Sequence, residues 1–400
     1  MAKRPLDGIK IVDFSQVLAA PFCGMLLADM GAEVVKVERL GGGDFAREYG
    51  PYINDISLYF SQYNRGKKGL SVDMRSEEGK AVVLDLIREA DIVMENYKTG
   101  TLDKLGLGYD EMLKVNPKLI YGSISGFGLY GPLSHLPCMD IIAAARSGLI
   151  YRSGEDGGAP IKPGFSMCDP WAGVNLLRGL TMALLHRQRT GKAVRVDVAM
   201  LDCAFYMCEW PVLEHSMTGS FGPKTGNQDP IFAPCGEFAA ADGYVVIDVK
   251  NEEHWARLCP ALGLPGLVAD ARFVDNAARV ANKGALVAVL EERTRHMTRH
   301  ELERLFREAG VPASAVQTLA EFAHNPQTKE LGIMAQVPQD GAGEYLGLGT
   351  PMLFSKTPAN PRASAAARPG AHTMEVLEKL GYPQSRREEL LNKGIVQQTA

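Results

Sequence analysis

Along the first half of the chain, short apolar runs alternate with longer stretches in which apolar positions recur every third or fourth residue. Residues 9–14 (Ile-Lys-Ile-Val-Asp-Phe) predict a short buried strand. Pro21 opens a helix running through Met30, with Gly31 placed to end it. Residues 33–38 predict a second strand. Over 76–90, Val82, Val83, Leu86, Ile87 and Ala90 repeat at the spacing of one buried helix face. Strands follow at 91–95 and 119–124, and a long apolar helix begins after Cys168 and runs to about Gln188. Strand and helix in this rhythm predict a parallel, helix-covered sheet, an α/β fold.

The rhythm weakens over 218–234, which is rich in Gly, Pro and polar residues and marks a domain boundary. A strand at 244–249 and helices at 251–262, 283–296 and 298–309 predict a smaller α+β unit. The chain leaves that unit near Asn325-Pro326, and the last helix falls at 373–380. The expected organisation is a large domain over 1–222, a small α+β domain over 223–330, and a C-terminal return to the large domain over 331–400. Residues 358–371, rich in Pro, Ala and Arg, read as an extended, solvated connection. No internal repeat is present.

Length and composition narrow the class. Four hundred residues exceed one ordinary core, in keeping with two domains. Hydrophobic residues make up 46% and charged residues 22%, the balance of a globular protein that dissolves in water. A formal net charge of -4 without blocks of like charge gives no reason to expect nucleic acid or a membrane surface as partner. No apolar run reaches membrane-spanning length, and no signal region precedes the first strand. The seven cysteines form no Cys-x-x-Cys pair, which points to a reduced, cytoplasmic setting without disulfides or zinc. The eight histidines show no ligand spacing, so no metal is expected.

The turn after the first strand, Ser15-Gln16-Val17-Leu18-Ala19-Ala20-Pro21, lacks the glycines that let backbone amides approach a dinucleotide pyrophosphate. Glu38, at the end of the second strand, does not replace them. A nicotinamide oxidoreductase is disfavoured. Asp169, in Cys168-Asp169-Pro170-Trp171, carries two readings that remain open together. It can cap the helix that follows, with Pro170 in the first turn. It can also be a carboxylate nucleophile kept ionised by the helix N-terminus. Cys168 has no histidine close in sequence to activate it. Cys203, Met207 and Cys208 read as core, and Glu209 and Glu214 as partly buried acids with an open role.

Longer motifs carry a resemblance. Leu6-Asp7-Gly8-Ile9-Lys10-Ile11-Val12-Asp13-Phe14, Ala20-Pro21-Phe22 and the run Ala28-Asp29-Met30-Gly31-Ala32-Glu33-Val34-Val35-Lys36-Val37-Glu38 open the chain. Asn64-Arg65-Gly66-Lys67-Lys68, Glu95-Asn96-Tyr97, Leu105-Gly106-Leu107-Gly108-Tyr109, Ser125-Gly126-Phe127-Gly128, Thr190-Gly191-Lys192 and Ala241-Asp242-Gly243-Tyr244 follow in order. With these motifs the chain resembles the class III CoA-transferases (CaiB/BaiF family) over nearly its whole length. The resemblance implies a Rossmann-like large domain and an interlocked homodimer in which each chain threads the other. It implies that Asp169 attacks a donor thioester to give a mixed anhydride, which CoA thiolate converts to an aspartyl-CoA thioester. It implies CoA contacts at Val17, Leu18 and Ala19, at Arg39, at Val72 and Arg75, at Asn96 and Tyr97, and at Lys104 and Leu105. Acyl-CoA and carboxylic acids are then substrates, with no tightly bound cofactor.

Departures refine the likeness. No glycine run follows Val249, where Lys250-Asn251-Glu252 stands, and Pro137 occupies a position that is lysine in the formyl-CoA transferases. Oxalate and formate are therefore not favoured as substrates. The segments 226–238 and 380–396 look closer to carnitine-type enzymes. The alternative within the superfamily is an alpha-methylacyl-CoA racemase, which needs a base on each face of its substrate. Met139 stands where the racemases have histidine, and His135 is the one nearby substitute.

Overall fold

The computed structural model describes residues 4–355 and 363–399. They pack as two compact units, one from Met1–Ile150, Lys162–Val212 and Gln327–Ala400, the other from Tyr151–Ile161 and Leu213–Pro326. The units divide near 212 and 326, ahead of the boundaries expected at 222 and 330. Residues 151–161 go with the second unit for a local reason. The Arg152 guanidinium donates to the carbonyls of Phe221 at 2.8 Å and Gly222 at 3.0 Å, and Lys224 lies 4.8 Å from the Tyr151 ring centre.

The first unit is a mixed α/β fold around a seven-stranded sheet. Its strands are β1 (Lys10–Asp13), β2 (Glu33–Glu38), β3 (Lys67–Val72), β4 (Ile92–Glu95), β5 (Ile120–Ser125), β6 (Val194–Ala199) and β7 (Val396–Gln397). Their order is β7-β3-β2-β1-β4-β5-β6, parallel except for β7, which pairs antiparallel with β3 through Val396 and Val72. Both faces are covered. Ile11, Val34, Ile92, Met94 and Ile120 face one core with helices α1 (Ala19–Asp29) and α5 (Cys168–Thr190). Their neighbours Val12, Val37, Leu70, Val93 and Tyr121 face the other, against α3 (Glu77–Arg88). A two-residue side-chain period with both faces buried is why these strands read as unbroken apolar runs.

Three expectations are corrected. Strand β3 was not anticipated, because Lys67 and Lys68 look like surface residues, yet Lys67 is buried. A polar helix, Gln384–Asn392, follows Thr373–Lys379 and leads to β7. Residues 358–362 lie outside the described part, but Ala365 and Ala366 are buried, and Arg47 donates to the Ala366 carbonyl at 3.1 Å. That end of the connection is therefore partly core, with Ala365, Ala366 and Gly370 buried while Ala363 and Arg368 stay exposed. A second α-helix between β2 and β3, α2 (Leu58–Asn64), will matter for the site.

The second unit has its own core. An antiparallel sheet in the order Ala313–Ala315, Gly243–Asp248, Cys235–Ala240 packs against Glu252–Ala261, Lys283–Thr294 and Arg299–Ala309. Phe238, Val245, Ile247, Trp255, Leu258 and Phe306 fill it. Among the described residues no helix is long and apolar enough to cross a membrane, and the seven cysteines are free.

Candidate active site

In an open parallel sheet, ligands bind beyond the carboxyl ends of the strands where the order reverses, here between β1 and β4. Two residue-long features meet there. The Asn96 side chain clamps the turn after β1, accepting from the Gln16 N–H at 2.7 Å and donating to the Gln16 carbonyl at 2.8 Å. Gln16 in turn donates to the Tyr97 hydroxyl at 3.2 Å. Val17 follows with φ +65°, a left-handed conformation rarely adopted by a β-branched residue, and its N–H donates to Asp44 at 3.0 Å.

Asp44 belongs to a buried ionic network beneath that turn. Its partner is Lys36, at 2.9 Å, and Lys36 also donates to the Ser15 carbonyl at 2.6 Å. Asp13 pairs with Lys67 at 2.8 Å, and the Ser15 hydroxyl donates to it as well. Lys67 completes its shell with the Pro21 carbonyl at 3.0 Å and Asn64 at 2.9 Å. Burial alone would raise the Asp13 carboxyl, but the charges of Lys67 and Lys36 hold it below its usual range. Thus a turn without phosphate-cradling glycines is fixed by Asp13 at the end of β1, by Asp44 in the segment after β2 and by Asn96 just past β4.

Helix α5 delivers Asp169 to the same place. A β-carbon at Gly173 would fall 2.5 Å from the Ala19 carbonyl oxygen, so glycine is what lets α5 close on the first turn of α1. Asp169 is not the helix cap, in contrast to one of its two sequence readings. The N-cap position is Met167, with no side-chain cap, and Asp169 is the second helical residue. The capping acceptor is Asp140, at the start of α4 (Asp140–Arg146), whose Oδ1 accepts from the Cys168 N–H at 2.7 Å and the Asp169 N–H at 3.0 Å.

The Asp169 carboxylate is half-buried and meets no cation or hydrogen-bond donor among the described residues. Burial first, then the Asp140 charge, pushes it up to about 7. It faces Tyr59 and Tyr63 of α2, whose phenols are raised by burial and, in part, by the Asp169 charge. Their rings stand edge to face at 5.0 Å between centres, continued by Phe22 on Tyr63 and Tyr49 on Tyr59. Cys168 is no competing nucleophile: burial, then Asp140 and Asp169, push its thiol up to about 12.

The other residues named from sequence fall into three groups. Val17, Asn96 and Tyr97 meet at the reversal point, although both polar ends of Asn96 are engaged by Gln16. Leu18, Ala19 and Val72 have buried side chains, so these present no side-chain surface to a ligand. Arg39, Arg75 and Lys104 are exposed on segments that leave the carboxyl ends of β2, β3 and β4, while Leu105 packs on the core. Arg39 donates to the Gly43 carbonyl at 2.9 Å and stacks 4.3 Å from the Phe45 ring centre. Glu209 and His135 are exposed; Glu214 lies in the second unit. Sequence reasoning missed Asp140, Glu95 and the tyrosines. Glu95 ends β4, accepts from the Tyr97 N–H at 2.6 Å, and burial pushes it up to about 7. Among the described residues no cluster of metal ligands occurs. A cavity of about 530 Å³ at the opposite end of the strands, between Lys10, Glu33, Lys68 and Lys379, shares no lining residue with this site.

Comparison with known proteins decides the family, because the family model for CoA-transferase family III matches residues 6–373. The chain belongs to CoA-transferase family III. It is similar to the acetyl-CoA:oxalate CoA-transferase of Acetobacter aceti, 40% identical over 355 residues that cover 88% of this chain and 90% of that one. It is also similar to the succinyl-CoA:mesaconate CoA-transferase of Haloarcula marismortui, 37% identical over 94% of this chain and 96% of that one. Among solved structures, a CaiB/BaiF family protein from Brucella suis superposes with a TM-score of 0.85 at 35% identity, covering 95% of this chain and all of that one. As a family III CoA-transferase this chain is an enzyme acting on CoA thioesters, and the resemblance read from its motifs is borne out.

Proposed function

We propose that Asp169 is the nucleophile of the transfer. The observation that carries the reading is its half-buried carboxylate, without an ion-pair partner among the described residues, beside a turn fixed at the reversal point of the sheet. A carboxylate oxygen attacks the donor thioester carbonyl, the C–S bond breaks, and CoA leaves as thiolate with the electron pair. That thiolate attacks the Asp169 carbonyl of the mixed anhydride, releasing the donor acid and leaving an aspartyl-CoA thioester. The acceptor carboxylate repeats the sequence in reverse, so thioester energy is retained through covalent steps. The phenols of Tyr59 and Tyr63 stay protonated and wall the carboxylate from solvent.

The nucleotide end of CoA lies over the carboxyl ends of β1 to β4, with Arg39, Arg75 and Lys104 toward its phosphates. The strand order β3-β2-β1-β4-β5-β6, that of dinucleotide-binding sheets, supports a Rossmann-like reading of the first unit. Dicarboxylic acids are the favoured exchange partners, since the two relatives above are named for oxalate and mesaconate. That replaces the carnitine-type expectation and readmits oxalate. The enzyme works as a homodimer in the cytoplasm. Val174, Met182 and Leu185 form an exposed apolar stripe on α5, in keeping with a covered face.

The test begins with succinyl-CoA or acetyl-CoA and no acceptor, followed by borohydride or hydroxylamine and peptide mapping. The modification is expected on Asp169. A label elsewhere, or full turnover by Asp169→Ala, overturns the assignment. Oxalate, mesaconate, succinate and carnitine are then offered as acceptors and new thioesters read by mass, while light scattering distinguishes a 43.4 kDa monomer from its dimer.

A further inference from the structure

We infer that Asp140 is a positioning residue for this transfer: it holds the head of the Asp169 helix while denying the Asp169 anion any hydrogen bond from that helix. The inference rests on Asp169 being the nucleophile.

A helix begins with N–H groups that have no partner inside it, and a carboxylate in the first turn ordinarily draws on them. Here the Cys168 and Asp169 N–H groups both go to Asp140 Oδ1. Pro170 has no N–H, and the Trp171 N–H donates to the Met167 carbonyl at 3.2 Å. No amide of the first turn is left for the Asp169 side chain. Asp140 reaches in from α4, so the arrangement is tertiary and not a local cap.

The charge has a second effect. The groups facing Asp169 are Asp140, the Tyr59 and Tyr63 phenols of α2, and the Cys138 and Cys168 thiols. The phenols and thiols are all raised and therefore neutral near pH 7, which leaves Asp140 as the one charge facing Asp169 among the described residues. Repulsion from it disfavours the Asp169 anion but not the anhydride or thioester, in which Asp169 is uncharged. When the Asp169 oxygen bonds to the acyl carbon, its negative charge departs with the CoA sulfur, and the repulsion is relieved. Asp140 thereby tilts the half-reaction toward the covalent enzyme.

Asp140→Asn separates the two effects, because an amide oxygen still accepts both N–H groups and the charge is gone. With succinyl-CoA and no acceptor, intact mass gives the fraction of enzyme carrying the covalent adduct, and burst kinetics give its pH dependence. For Asp140→Asn the adduct-to-free ratio is expected to fall about threefold to tenfold, and the acid limb to move down by about half to one pH unit. Its melting temperature is expected to match the wild type at pH 5, where Asp169 is protonated and the Asp140 charge meets no anion. Asp140→Ala, which loses the acceptor too, is expected to lose more than tenfold in turnover. An unchanged adduct ratio and unchanged acid limb in Asp140→Asn overturn the inference while leaving Asp169 as nucleophile. A wild-type adduct that maps away from Asp169 overturns that reading first, and this inference with it.

Discussion

Asp13 and Asp169 lie on either side of the same turn, and their surroundings are opposite. Asp13 is fully buried and answered by Lys67, by the more distant Lys36 and by Ser15, so it stays ionised below its usual range. Asp169 is half-buried, meets no cation and no donor among the described residues, and is pushed up to about 7 by burial and by another carboxylate. Burial is common to both; partnership separates them. A carboxylate surrounded by donors is a good structural anion and a poor nucleophile, since its lone pairs are engaged. The buried Lys36 and Lys67 serve the turn, and among the described residues no cation pairs with the reacting oxygen.

The largest effect that could break this contrast is on turnover. Asp169→Asn is expected to lower CoA transfer by about a thousandfold or more, measured with purified, folded enzyme. The same variant sharpens the contrast through stability. A carboxyl raised in the folded state makes folding less favourable as pH rises from about 4 to about 7. Asp169→Asn should therefore be more stable than wild type at pH 8, by roughly 1–2 kcal/mol after allowing for solvent screening, and equal to it below pH 4. Denaturant midpoints at the two pH values read this out.

Asp13→Ala is the counterpart. It leaves Lys67 buried without its counter-ion, and a loss of about 3–5 kcal/mol in urea unfolding is expected. In the wild type the Asp13 contribution has the opposite pH sign. It is present above the ordinary carboxylate range and lost only as pH falls through the lowered folded value. If both aspartates gave the same pH slope, the contrast would fail.

Gly173→Ala is the subtlest of the three. The added carbon meets the Ala19 carbonyl, so α5 must shift by a fraction of an ångström. A stability loss of about 1–3 kcal/mol is expected from overpacking. A larger relative loss in turnover than in binding of acyl-CoA is expected, because the reacting oxygen moves from the turn. Steady-state kinetics that change only in KM would contradict the proposed placement.

The sheet was legible because its strands are apolar on both faces, and 33–38 was read to the residue. Strand β3 was not, since the counter-ion that lets Lys67 be buried is Asp13, a residue 54 positions away on another strand. The helix Gln384–Asn392 escaped notice for a similar reason: it buries Leu390 alone, too little to set a period. At the site, the helix after Cys168 and Asp169 itself were visible in sequence. The local pattern suggested a cap there, and the true capping acceptor lies 28 and 29 residues upstream. Asp140, next to Met139, gave no signal of its own. Tyr59 and Tyr63 gave no signal at all, because their meaning comes from a carboxylate more than a hundred residues further on.

The account rests on an unsupported carboxylate, and the pH dependence of its acylation is the most direct test. CoA released in a single turnover with succinyl-CoA, quenched on the millisecond scale between pH 5 and pH 9, reports the ionised fraction of the attacking group. The rate is expected to rise with pH and to level off with an inflection near 7, as the value of about 7 for Asp169 requires. A rate already level at pH 5, with its inflection at or below 4, would mean that Asp169 is solvated or supported and not raised, which contradicts an unsupported, buried nucleophile.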